Sequence, residues 1–292
     1  MDVLSLHGWS DYFFQRGQAE FWADRGARFF ALDLRKYGRS LHPGQTPGYI
    51  EDLTDYHQEI SAALEIIRSS QRSPRRLLLL GHSTGGLVAS LWAADHPGQV
   101  DALVLNSPWL EFQLASTGRA ALSPLITLSA RYYPRDAGPQ IDEGFYARAQ
   151  QQVGPADDLA LANPVWRPER AFRPTAGWLR AILAGHARIY QGLHLTEPVV
   201  VLLSARSAVP TTWREGFQYA DTVLDVDEVA RSALHLGSTV TVVRIDGALH
   251  DVFLSATEPR ANAFSQLERW VSGWHFSHYL APAPVTASPR TG

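Results

Sequence analysis

Apolar residues recur along this chain in two rhythms. Short unbroken runs occur at Val3-Leu4-Ser5-Leu6, Ala27 to Leu34, Leu77-Leu78-Leu79-Leu80, Val100 to Leu105, Val199-Val200-Val201-Leu202-Leu203 and Thr239 to Ile245. Runs this short, without polar alternation, predict strands buried on both faces, as in a parallel sheet. The second rhythm is helical. Thr54 to Arg68 places Tyr56, Ile60, Ala63, Leu64 and Ile67 on one face, and Leu87 to Asp95 is closed by Pro97. Pro259 to about Trp274 turns Ala263, Leu267, Trp270 and Val271 inward, and Gln18 to Arg25 forms a shorter helix. Alternating strands and helices predict an α/β architecture with helices on both faces of a mostly parallel sheet.

The rhythm changes after Asn106-Ser107-Pro108-Trp109. From 112 to 195 no strand-like run occurs, and helical stretches are broken by Pro124, Pro134, Pro139, Pro155, Pro164, Pro168 and Pro174. This predicts a helical insertion over the sheet, dividing the core into residues 1–111 and 196–280. Residues 281–292, rich in proline, read as a disordered tail. Arginine outnumbers acid in the insertion, which reads as a solvated basic face.

Composition narrows the class. The chain has 292 residues, 45% hydrophobic and 19% charged, enough for one large globular domain. Its formal net charge of −3 gives no field that would attract nucleic acid. Cysteine is absent, which removes disulfides and thiol catalysis. The 11 histidines show no metal-ligand spacing, and no cofactor motif occurs. No apolar run is long enough to span a bilayer, and Met1-Asp2-Val3-Leu4 lacks the basic start of a signal peptide. A cytoplasmic protein, with at most peripheral membrane contact, is the expectation.

Candidate chemistry centres on Gly81-His82-Ser83-Thr84-Gly85, a G-x-S-x-G pattern between the four-leucine strand and the helix from Leu87. In that context the pattern predicts a nucleophile elbow, with Ser83 exposed at a tight turn and helix N–H groups near a developing oxyanion. A serine hydroxyl needs a base. His250 lies just after the Thr239–Ile245 strand, in Asp246-Gly247-Ala248-Leu249-His250-Asp251, and is the best-placed histidine. His82 adjoins Ser83 and is expected to point elsewhere. His57, His96, His235, His275 and His278 fall in helical stretches, with packing or surface roles.

The segments Leu6-His7-Gly8-Trp9, Asp33 through Gly38-Arg39-Ser40, Gly81 to Gly86 and the His250 loop together resemble the α/β-hydrolase fold. Within it they resemble the branch of monoacylglycerol lipases, lysophospholipase-like esterases and serine aminopeptidases. The resemblance implies Ser83 as nucleophile and His250 as general base. It implies oxyanion N–H groups from Thr84 and Trp9, a bracing role for Asp33 and Arg39, and no cofactor. It also implies two antiparallel strands ahead of the one ending in His7-Gly8, and these are missing. An exposed sheet edge, or a less covered first strand, is the corresponding expectation.

The resemblance places the triad acid soon after the Val199–Leu203 strand, where the chain reads Ser204-Ala205-Arg206-Ser207 without a carboxylate. Asp221-Thr222-Val223-Leu224-Asp225-Val226 is similar to the family's acid-bearing string, displaced by an insertion of about 205–220. Asp221 is therefore the expected acid and Asp225 the second candidate, unless Asp225 caps the next helix. The expected function is hydrolysis of small lipid esters, monoacylglycerol or lysophospholipid in type. Phe112, Tyr132, Tyr133, Phe145, Trp166 and Trp178 are candidates for an acyl pocket or for core packing. Two alternatives stand beside it. One is an aminopeptidase or amidase using Asp157-Asp158 to hold a substrate ammonium group. The other is a hydrolase fold retained only for binding.

Overall fold

A computed structural model describes residues 1–112, 126–208 and 212–279. Its sheet has six strands: β1 (Asp2–Leu6), β2 (Arg28–Leu32), β3 (Leu77–His82), β4 (Ala102–Asn106), β5 (Val199–Ser204) and β6 (Val240–Ile245). Their order is β2-β1-β3-β4-β5-β6, and all five neighbouring pairs are parallel. The strand carrying His7 at its end is therefore paired on both sides, and β2 forms the sheet edge. The expectation of a poorly covered first strand does not hold for β1, whose five residues are all buried.

The four-leucine run shows why both faces must be apolar. Leu77 and Leu79 join Leu4, Leu6, Leu103, Leu105 and Val201 on one face, covered by α2 (Tyr56–Ser69) and α3 (Thr84–Asp95). Leu78 and Leu80 join Val3, Val104, Val200 and Leu202 on the other. That face is covered by α1 (Arg16–Ala23) and the long C-terminal helix Thr257–Tyr279 through Phe21, Trp22, Ala263 and Leu267. Successive strand side chains point to opposite faces, so a strand with helices on both sides is apolar at every position. Leu79 is fully buried, so Leu79→Ala removes about 2–5 kcal/mol of stability.

Between β4 and β5 lie α4 (Phe145–Val153), α5 (Ala156–Leu159) and α6 (Ala176–Gln191), with a further helical stretch at 126–132. The described part contains no strand apart from one bridge, Ala137 to Thr175. These elements are not equivalent. Trp178, Ala181, Ile182 and Ile189 of α6 belong to the same apolar cluster as α2 and α3. Gly185 permits this approach, because a Cβ there would sit 3.0–3.3 Å from Leu53, Leu91 and Leu87. The last two helices among the described residues are α7 (Val226–Ala233), which follows β5, and α8 (Thr257–Tyr279). The expected tail, 281–292, lies outside the described residues.

Register brings the chemistry to one edge. Leu6 pairs with Gly81 and Gly81 with Leu105, so the loops after β1, β3 and β4 leave the sheet side by side. Ser204 pairs with Ile245 at the same end. The carboxyl edge of a parallel sheet is where ligands bind in such folds.

Candidate active site

Ser83 sits between β3 and α3 with φ 52° and ψ −118°, a conformation that strains any residue with a side chain. The strain persists because the flanking peptide groups are fixed. Ser83 N donates to Asn106 O at 3.0 Å, and Ser83 O accepts from Trp109 N and Gly86 N at 2.9 Å each. Close approach requires the neighbouring glycines. A Cβ on Gly81 would lie 2.6 Å from Gly85 O, one on Gly86 the same distance from Pro108, and one on Gly85 would strike the His7 carbonyl.

The loop after β1 packs directly on the elbow, since a Cβ on Gly8 would meet Ser83 Cβ at 3.1 Å. This holds the Trp9 peptide beside Ser83, with Thr84 opening α3 on the other side. His7 anchors the loop: its Nδ1 donates to Gly8 O at 2.8 Å and its Nε2 accepts from Leu34 N at 3.0 Å. Asp33 and Arg39 brace the next turn. The Asp33 carboxylate accepts from Arg39 Nη1 at 2.8 Å and from Phe13 N at 3.3 Å. The Trp9 indole donates to Phe172 O at 3.1 Å and packs 3.8 Å from the Trp178 ring. Trp109, beyond β4, lies 5.7 Å from both Trp178 and Phe112. The Thr84 hydroxyl is buried and has no hydrogen-bond partner among the described residues.

Of the six aromatic candidates for the pocket, only Trp178 and Phe112 share this neighbourhood. Tyr132 and Tyr133 are exposed, Phe145 packs on Trp213 and Phe217, and Trp166 packs on Tyr12.

His250 and Asp221 meet in the interior, 2% and 0% exposed. His250 Nδ1 donates to Asp221 Oδ2 at 2.8 Å, which fixes the tautomer. The other carboxylate oxygen accepts from Val223 N at 2.7 Å and Leu224 N at 2.8 Å, so the acid is held from both sides. Asp221 reaches this place by a detour. After β5 the chain leaves at Ala205 and returns so that Ser207 and Asp221 form a bridge, with Asp221 N donating to Arg206 O and Ala208 N to Asp221 O. Asp225 instead caps α7, accepting from Asp227 N and Glu228 N at 3.0 Å each.

Several residues around His250 carry no sequence signature. At the end of β4, Asn106 Nδ2 donates to Asp251 Oδ1 at 2.7 Å and its carbonyl side accepts from Val252 N at 3.2 Å. Ser204 Oγ donates to Ala248 O at 2.7 Å and Ser255 Oγ accepts from Leu249 N at 2.9 Å. The Tyr146 ring stands edge-on to His250 at 5.4 Å. His82 does not point away from the site as expected: its ring is 5.0 Å from that of His250 and its Nδ1 donates to Asn106 O at 3.1 Å. The turn at Ser83 carries the chain sharply into α3, so the preceding side chain stays beside the His250 loop. Burial holds the His82 imidazole below its ordinary value, against an opposing pull from Asp251. His96 and His235 lie just beyond helix ends rather than within them.

Asp157-Asp158, the pair considered for an ammonium group, has a different use. Asp158 is buried and accepts from Gly17 N at 2.8 Å and Arg260 Nη2 at 3.0 Å, tying α5 to α1 and α8. Among the described residues no cluster of three His, Asp or Glu side chains could hold a metal ion.

Comparison with known proteins gives the family and the fold. A monoacylglycerol lipase of Mycolicibacterium smegmatis is 25% identical over 256 residues, covering 86% of this chain and 81% of its own. A phospholipase of Bacillus subtilis is 27% identical over 150 residues, about half of either chain. The crystal structure of Paleococcus ferrophilus monoacylglycerol lipase superposes with a TM-score of 0.69 at 17% identity, covering 94% of both chains. A soluble variant of Saccharomyces cerevisiae monoglyceride lipase, in complex with a substrate analogue, gives 0.66 at 15% identity, covering 94% of this chain and 86% of that one. Residues 2–257 match the model of the serine aminopeptidase S33 family, and the chain belongs to that family of α/β-hydrolases.

Proposed function

We propose that this protein is a serine hydrolase that cleaves esters of small lipids, of the monoacylglycerol or lysophospholipid kind, through an acyl-enzyme. The observation that carries the reading is the buried contact of 2.8 Å between Asp221 and His250 Nδ1, at the sheet edge where Ser83 is held in its strained turn. With Nδ1 engaged by the carboxylate, Nε2 is the nitrogen left to take a proton. Ser83 Oγ attacks the ester carbonyl as His250 Nε2 accepts its proton. The oxyanion forms against the backbone N–H groups of Trp9 and Thr84. Collapse breaks the ester C–O bond, and the imidazolium returns the proton to the departing alcohol. Water, deprotonated by the same nitrogen, then releases the fatty acid and restores the serine.

The lipase and phospholipase relatives support a lipid ester, and so does the aromatic group of Trp9, Trp109, Phe112 and Trp178 beside the elbow. An aminopeptidase reading loses its ammonium site, because Asp158 is engaged by Gly17 and Arg260. No helix among the described residues is long and apolar enough to cross a bilayer. The test is a substrate panel of p-nitrophenyl esters from acetyl to palmitoyl, monoacylglycerols and aminoacyl anilides. Turnover of esters, monoacylglycerols included, with anilides inert is expected. Anilides cleaved faster than any ester would transfer the proposal to the aminopeptidase reading.

A further inference from the structure

The β4–β5 segment reaches into the catalytic machinery through one partly buried polar chain. It starts on the loop that carries Trp9, at Asp11, which is 6% exposed. Arg167 Nε lies 3.0 Å from Asp11 Oδ1, and Arg167 Nη2 also donates to Gln150 Oε1. Gln150, fully buried on α4, donates through Nε2 to the Tyr146 hydroxyl at 2.6 Å. That hydroxyl also accepts from the backbone N–H of Asp251 at 3.1 Å, and the Tyr146 ring stands edge-on to His250, 83° between planes. Burial, reinforced by the Asp251 carboxylate, keeps the phenol protonated. The Asp11–Arg167 link is an ion pair and the others are hydrogen bonds, and together they tie the Trp9 loop, the segment carrying Arg167, α4 and the His250 loop. The chain begins on the oxyanion loop and ends on the peptide after the catalytic histidine.

We propose that Tyr146 is a positioning residue for His250, and that the chain Asp11–Arg167–Gln150–Tyr146 makes docking of α4 a condition for an aligned base. The proposal rests on the reading of Ser83, His250 and Asp221 as the triad. It assigns to the helical insertion more than substrate selection. A helix that only lined an acyl pocket would affect long esters and spare short ones. A helix that holds the His250 loop affects every ester equally, because the base acts in every turnover.

The test compares Tyr146→Phe, Gln150→Leu and their double variant on p-nitrophenyl acetate and a long-chain ester. Arg148→Ala, an exposed position on the same helix, serves as control, and melting temperatures verify folding. Tyr146→Phe removes one hydrogen-bond acceptor from the Asp251 peptide, and a loss in kcat of about ten-fold is expected, with KM within about two-fold. The same factor should appear for both esters. Because both residues act through one link, the double variant should be no slower than the slower single. Arg148→Ala should turn over like wild type. If Tyr146→Phe does not fold, Gln150→Leu carries the same reading. Turnover by Tyr146→Phe within two-fold of wild type overturns the proposal, as does a loss confined to KM or to the long ester. A Ser83→Ala variant that still cleaves esters would overturn the triad reading itself. Ser83→Ala inactive beside a fully active Tyr146→Phe would overturn only the role of Tyr146.

Discussion

The elbow from Leu77 to Asp95 and the acid loop from Ser204 to Val226 deliver one side chain each of the proposed triad, by opposite means. In the elbow, strand, nucleophile and helix are consecutive, and the glycines at 81, 85 and 86 are fixed by contacts within a few residues or with the adjoining strands. Position along the sequence there is position in space. In the acid loop the carboxylate is many residues from the strand that supports it, and is returned by the Ser207–Asp221 bridge and the Asp221–Arg206 hydrogen bond. Once the two ends of a detour are clamped, its length has little effect on where the acid stands. Closing a longer loop costs only about 0.6 kcal/mol per doubling of length. A nucleophile on a strained turn tolerates no such freedom. A carboxylate that only orients an imidazole needs a fixed end point and no fixed path.

Substituting each candidate acid breaks or sharpens this contrast most strongly. Asp221→Asn keeps the shape of the loop but removes the charge that steadies the His250 cation, and turnover should fall by a factor on the order of 10⁴. Asp225→Asn should leave turnover near wild type, since that side chain accepts from the helix N–H groups of Asp227 and Glu228. If Asp225→Asn is the crippled variant, the end point of the detour has been assigned to the wrong carboxylate. Asp225→Ala should show its effect in stability instead, with a loss of about 1 kcal/mol for the missing cap in denaturant unfolding. No measurable loss would mean that α7 is held by packing alone.

The same contrast explains what the sequence disclosed. The four leucines, G-H-S-T-G and the position of His250 after a strand are local signals, and each element lies within a few residues of its expected bounds. Asp221 was reachable only through family resemblance, because nothing in residues 205–220 announces where the detour ends. Tyr146, Gln150, Arg167 and Asp11 were not reachable at all. Apart from the Tyr146–Gln150 pair, one turn apart on α4, their contacts join positions well separated in the chain, and a lone tyrosine or glutamine on an amphipathic helix looks like any other. The role of α6 was hidden for a related reason. Its apolar face reads the same whether it covers a pocket or, as here, Leu53, Leu87 and Leu91. His82 was misplaced because the direction of a side chain at a strained turn is set by φ and ψ, which composition does not reveal.

The smallest expected effect belongs to His82, on the elbow side of the comparison. Burial lowers its affinity for a proton below that of an unfolded histidine, whose pKa is about 6.5. The unfolded chain then binds a proton that the folded chain does not, so stability declines as pH falls through about 6.5. Burial lowers His57 as well and adds to the same slope. Asp2 acts only at lower pH: burial pushes its carboxyl up, but hydrogen bonds from Arg28 and Gln71 hold it below the ordinary value. Melting temperature measured from pH 7.5 to about 5.5 should fall for wild type and fall less for His82→Gln. Equal slopes would remove His82 from the explanation.

The triad is tested most directly by a fluorophosphonate probe, which reacts with a serine only when a base activates it. Wild-type protein should form a single adduct on Ser83, located by peptide mass spectrometry. Ser83→Ala, folded by melting temperature, should form none. Labelling of Ser83→Ala at another residue, or no labelling of folded wild type, would contradict the assembly of Ser83, His250 and Asp221 into one catalytic unit.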